Sequence, residues 1–185
     1  MSTLPDIHGI NGTFFARAAG LTAAAPGAGA NYVSFRWTIP SLICLILGIR
    51  IRILVTVAST AGVPEFNGFV ARNFTASDTG GTAIVIGTPS TKVLQNLSSS
   101  AVGDFRFGAG AQLTAGTRTL DGVPFIGVDA PIAIGSSDSN IWPPNQAYPL
   151  PLATNEGLVF QNKTTLTACV YHYAVEIQWI ELASY

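Results

Sequence analysis

A chain of 185 residues is sized for one domain and long enough to bury roughly 70% of the surface its unfolded form exposes, so it needs neither a metal nor a disulfide to fold. Charged residues make up 10% of it, with nine Lys or Arg, ten Asp or Glu and a net charge of −1, against about 25% charged in an ordinary soluble domain. The basic residues are scattered singly apart from Arg50 and Arg52, which excludes the basic footprint of a nucleic-acid binder.

Hydrophobic residues stand at an ordinary 48%, so the missing charges are replaced by Ser, Thr, Gly, Ala and Asn. Two explanations fit so neutral a surface. Either copies of the chain or a partner cover much of it, or it is a solvated, hydroxyl-rich β surface.

The first residues, Met1 to Ile10, lack the basic start and apolar core of a secretory signal. The four Asn-x-Ser/Thr triplets at Asn11, Asn73, Asn96 and Asn162 are therefore read as chance matches in a Ser/Thr-rich chain. Residues 1–31 read as an extended N-terminal arm, rich in Gly, Pro and Ala, with a helical turn or two over Thr13 to Ala19. Phe14 and Phe15 are large for a free tail, so this segment is expected to dock on its own domain or on a neighbour.

From Tyr32 the period is two. Tyr32 to Thr38 opens a strand that Pro40 closes. Ile49, Ile51, Ile53, Val55 and Val57 alternate with Arg50, Arg52, Leu54 and Thr56, a pattern that a helix would scatter around its circumference. The apolar window Ile39–Val57 that holds this strand is not a membrane span. Pro40 and Gly48 interrupt it, and its two arginines each cost about 2.5–3.5 kcal/mol at a bilayer centre.

Shorter strands are expected near Phe66–Phe74, Thr82–Ile86, Lys92–Leu97, Asp104–Ala111, Val123–Val128 and Leu158–Asn162, separated by Gly-, Ser- and Pro-rich turns. The last strand, Thr167 to Trp179, is the longest. It places Cys169, Tyr171, Tyr173, Val175, Ile177 and Trp179 on one face. The reading is an all-β domain over residues 32–185, an antiparallel two-sheet sandwich, with the jelly-roll type preferred over a closed barrel.

Catalytic chemistry is hard to assemble from this chain. His8 lies in the arm, and His172 and Cys169 project from opposite pleat faces of one strand, so they cannot meet within it. No His-x-x-x-His, Cys-x-x-Cys or EF-hand spacing occurs. Asp121, Asp129 and Asp138 would reach one calcium ion only if the fold gathered their loops. No carboxylate pair stands out for glycoside hydrolysis, and Gly103–Gly110 lacks a phosphate-loop lysine. Neither an enzyme nor a cofactor is expected. Cys44 and Cys169 sit in apolar strand-like runs and read as buried thiols; sequence leaves a disulfide between them open.

Two groups suit binding better. Trp142 and Tyr148 share a Pro-rich loop that could stack on sugar or on protein, or simply pin that loop to the sandwich. Arg50 and Arg52 project from one strand face; Arg is enriched at interfaces, and the alternative is a solvated strand face with no particular salt bridge. With Phe14 and Phe15, these form the candidate interface set.

Several stretches resemble virion structural proteins of tailed bacteriophages. They are Phe14 to Leu21 running on to Tyr32–Trp37, Phe74 to Ala83, Leu113 to Leu120, Asn155 to Val159 and Val175 to Glu181. The resemblance implies a capsid cement or decoration subunit that bridges capsid subunits on the phage head. It further implies a homotrimer, the major capsid protein as partner, and assembly in the bacterial host cytoplasm. It carries over no functional residues. The alternative is a carbohydrate-binding or adhesion module on a fibre or tail, using Trp142 and Tyr148.

Overall fold

Alternation of large apolar with small or polar residues commits the chain to strands. The computed structural model describes residues 13–86, 104–137, 141–142 and 149–183, and among these there are strands and no helix. Two antiparallel sheets pack face to face around a single main core.

Sheet A is built on the two longest strands, β3 (Leu42–Val57) and β13 (Val170–Ala183), paired along their whole length. On the other side of β13 lies β1 (Thr13–Leu21). Three short strands, β9 (Gly135–Ser137), β10 (Ile141–Trp142) and β11 (Leu150–Leu152), follow one another along the far edge of β3. In sheet B, β12 (Gly157–Asn162) lies between β2 (Asn31–Arg36) and β4 (Glu65–Arg72). Beyond β2 come β6 (Phe105–Phe107) and β5 (Thr82–Ala83). Beyond β4 come β7 (Thr119–Leu120) and β8 (Ile126–Asp129).

The terminal strand is central and buried, as its periodicity predicts. Tyr171, Tyr173, Val175, Ile177 and Trp179 are each at most 2% exposed. The alternation of β3 is also real, but the strand starts earlier than Ile49. Gln178 faces Gly48 while Trp179 faces Ile46, so Leu47 is an extra residue in β3. This bulge switches the inward positions from Cys44 and Ile46 to Ile49, Ile51, Ile53 and Val55. A single parity cannot describe both halves, which is why the first half does not read as strand.

The N-terminal stretch differs from expectation. In place of a helical turn in an arm, Thr13–Leu21 is a strand hydrogen-bonded to β13, and Phe14, Ala16 and Ala18 face the core. Residues 13–31 are thus part of the sandwich, and residues 1–12 lie outside those described. The inner face of β1 tapers to Gly20, where a Cβ would overlap the Gly108 carbonyl and the Tyr173 hydroxyl. That space lets the Tyr173 hydroxyl donate to the carbonyls of Gly108 and Tyr32. The expected strand near Lys92–Leu97 lies outside the described residues.

Aromatic rings bridge the two sheets. Trp179 of sheet A meets Phe35 of sheet B at 5.8 Å between centroids, and Phe66 of sheet B stacks on Tyr173 at 5.1 Å, while Phe14 packs on Trp179 within sheet A at 5.7 Å. Cys44 and Cys169 are buried free thiols. Cys44 faces Glu181 near one end of β13 and Cys169 precedes the other end, a separation of roughly 40 Å at strand rise. That is far beyond the reach of a disulfide. Burial pushes both thiols up, Cys44 further, with Glu181 adding to it.

Candidate interaction face on sheet A

The two sheets treat their outer faces differently. Sheet B is covered on the outside by two loops, residues 73–81 and 113–118. Their backbones bond to each other from Thr75 to Thr117 at 3.0 Å and between Thr79 and Thr114 at 2.9 and 3.0 Å. Beneath them Phe74, Ala71 and Val159 form a second small core with Leu120 packed against it, and β2 is buried on both faces from Asn31 to Phe35.

An ionic clamp holds this cover down. The Arg118 guanidinium lies 3.1 Å from Asp78, with side-chain exposures of 5% and 0%. Asp78 also accepts from the Gly116 amide at 2.7 Å and from the Asn31 side-chain amide. Burial lowers the Arg118 pKa while Asp78 raises it. Arg36 donates to Ser77 and Asn155 at 2.8 and 2.7 Å, and both Arg36 and Arg118 lie over the Phe74 ring, 5.7 and 5.8 Å from its centroid. The Arg118 and Asp78 charges offset each other in a buried pair, while Arg36 Nε, Arg118 Nε and Asn31 Oδ1 stay buried without a hydrogen-bond partner among the described residues; the clamp holds loops together and is structural. Asp121, considered above for calcium, is bound by Arg72 at 3.0 Å. Asp129 stands in β8, and Asp138 lies outside the described residues.

Sheet A carries no such cover among the described residues. Its outward side chains form rows across β1, β13 and β3: Leu21–His172–Leu54, then Ala19–Ala174–Arg52, then Arg17–Glu176–Arg50, then Phe15–Gln178–Gly48. Arg17, Arg52 and His172 are exposed, Arg50 and Glu176 half-buried, and Leu21 and Leu54 remain 36% and 47% exposed. A shallow depression runs over the first two rows, floored by the alanines and walled by Leu21, Leu54 and Ser136. A smaller one sits among Arg17, Arg50, Arg52, Ala174 and Glu176. Leu54 lies directly across from Ser136 of β9.

Of the residues singled out in the sequence, Arg50, Arg52 and Phe15 belong to this face. Phe14 does not: it is 1% exposed against Trp179, because neighbouring residues of a strand point to opposite sides. Trp142 is placed by its backbone, opposite Ile49 in β10, and Tyr148 lies outside the described residues. His172 faces outward with apolar Leu21 and Leu54 as its cross-strand partners. Arg17 and Glu176 complete the charged row and went unnoticed in the sequence. Only the register of β1 against β13 brings them together.

Among the described residues, the fold and this face define a two-sheet antiparallel β-sandwich with one sheet surface covered and the other uncovered. Among the described residues no three His, Cys, Asp or Glu side chains converge as metal ligands. No protein-family model matches the chain, and no curated protein matches it in sequence.

Proposed function

We propose that the chain is a structural subunit of a bacteriophage virion, a cement or decoration protein that bridges capsid subunits on the head. One observation carries the reading: among the described residues the outer face of sheet A is uncovered and sets arginines, a residue type enriched at protein interfaces, beside half-exposed leucines. Scattered singly, such residues would mean little; here they share one flat surface on the longest strands of a rigid sheet. The resemblance of the chain to tailed-phage virion proteins supplies the setting.

A jelly-roll arrangement is part of the same proposal. The alternation of partners supports it: β1, β13 and β3 are neighbours in one sheet, and β2, β12 and β4 in the other. Early and late strands lie side by side in both, as in doubly wound Greek keys, an architecture common in capsid and lectin domains. The homotrimer and the major capsid protein as partner come from the resemblance.

Co-sedimentation of the purified chain with emptied heads of the phage that encodes it tests the reading, alongside light scattering of the free chain. Saturable binding and a trimeric mass are expected. A chain that stays monomeric, ignores heads and binds glycans in solution would replace this reading with a carbohydrate-binding module.

A further inference from the structure

We propose that the outer face of sheet A receives an acidic strip of a partner polypeptide, one that presents at least two carboxylates between apolar side chains. The inference rests on the assembly reading above and names the chemistry of the partner at that face.

Charge is the first argument. Arg17, Arg50 and Arg52 share the face with a single described carboxylate, Glu176. One third of the nine basic residues of the chain therefore stand on one surface of three strands, against one described carboxylate. Arg17 and Arg52 make no hydrogen bond or ion pair among the described residues, whereas Arg72, Arg118 and Lys163 are all paired with carboxylates. Guanidinium groups held this way present open forks to a planar carboxylate.

Geometry is the second. Neighbouring strands lie about 4.8 Å apart, so the Arg17 and Arg50 backbones stand roughly 10 Å apart across Glu176. Arg52 is one pleat further along β3, diagonal to Arg17 across Ala174. The small side chains of Ala19 and Ala174 keep the floor low there, leaving room for a side chain descending from above. Leu21 and Leu54 on one flank and Phe15 on the other supply apolar contact.

A second copy docking face to face fits less well. Among the described residues it would set Arg17 and Arg52 of one copy against Arg17 and Arg52 of the other, a like-charge arrangement that costs affinity. An acidic partner neutralises the face instead.

Head co-sedimentation with three proteins tests this: wild type, Arg17→Gln/Arg52→Gln, and Arg106→Gln as a control on sheet B, where Arg106 is bound to the Gly80 carbonyl. Glutamine removes the charge and leaves a shorter but still polar, hydrogen-bonding side chain, and both target side chains are exposed. The expected result is a loss of about tenfold or more in head affinity for the double variant, as for charge pairs buried at an interface, none for the control, and tighter binding for Glu176→Gln. If the double variant binds heads as wild type does, the acidic-partner inference is overturned and the assembly reading stands. If wild type itself ignores heads, the assembly reading falls, and titration of the full chain with decaglutamate decides the face by NMR. Shifts confined to Arg17, Arg52, Glu176 and their neighbours support the inference. Shifts elsewhere, none at all, or an equal response to decalysine overturn it.

Discussion

Phe14 sits directly opposite Trp179 in the β1–β13 ladder, their ring centroids 5.7 Å apart and their planes tilted by 30°. The pair ties the start of the described chain to its last strand. It also changes what truncation should do. Were residues 1–30 a loose arm, deletion would spare the domain. With Phe14, Ala16 and Ala18 buried, removing β1 uncovers one edge and part of the inner face of β13.

Phe14→Ala should therefore destabilise the isolated chain by about 3–5 kcal/mol, and Trp179→Ala by as much or more, a large share of a stability of roughly 5–15 kcal/mol. His172→Ala, on the exposed side of the same strand, should fall within about 0.5 kcal/mol of wild type. Urea melts followed by circular dichroism measure all three. A His172→Ala variant less stable than Trp179→Ala would mean that the β13 register is wrong by one residue.

The Asp78–Arg118 clamp makes a different kind of prediction, because it holds the cover of sheet B and not its main core. Asp78→Ala strands a guanidinium that is 5% exposed and leaves the Gly116 amide without its 2.7 Å acceptor. Breaking a buried pair from one side costs about 3–5 kcal/mol, whereas replacing both partners is much milder. Asp78→Ala/Arg118→Met should thus recover most of what Asp78→Ala loses. Hydrogen exchange at Thr79 and Thr114, whose amides bond each other's carbonyls, should accelerate in the single variant before the sandwich opens. Unchanged exchange there would show that the loops are held by Phe74 and not by the ion pair.

How legible these features were follows from how each is encoded. β13 announces itself because its inward residues are all large. β1 does not: its inner face is Phe14, Ala16, Ala18 and Gly20, and small residues carry no period in hydropathy. At Gly20 the small residue is required by the close approach of the Gly108 carbonyl and the Tyr173 hydroxyl, a tertiary demand that local sequence cannot display. The Leu47 bulge hid the first half of β3 in the same way, by breaking parity where pairing stays intact. Strands of two or three residues, such as β7 and β11, are too short for any period. The open face was half visible. Arg50 and Arg52 share a strand and could be read together, while Arg17 and Glu176 meet them only through ladder register. Asp78 and Arg118 are distant in sequence, and neither carries a local motif.

Alkaline stability tests the core directly. Burial pushes the phenols of Tyr171 and Tyr173 well above the ordinary tyrosine range, with the neighbouring Tyr32 adding in both cases. Their hydroxyls are engaged inside, Tyr171 with the Asn162 side chain at 3.0 Å and Tyr173 with the Tyr32 carbonyl at 3.1 Å. In the unfolded chain both ionise near pH 10. Above that pH the folded state holds protons that the unfolded state has released, so stability falls as pH rises. The contribution is whole below pH 10 and is lost above it. Each group removes about 1.4 kcal/mol per pH unit, and two together remove roughly 5 kcal/mol over two units, enough to unfold a domain at the lower end of ordinary stability near pH 12. The chain has five tyrosines. Absorbance at 295 nm should show the buried phenols silent until circular dichroism reports unfolding, then ionising together with it. Five phenols titrating as one set near pH 10, with the fold intact, would contradict the buried tyrosine core.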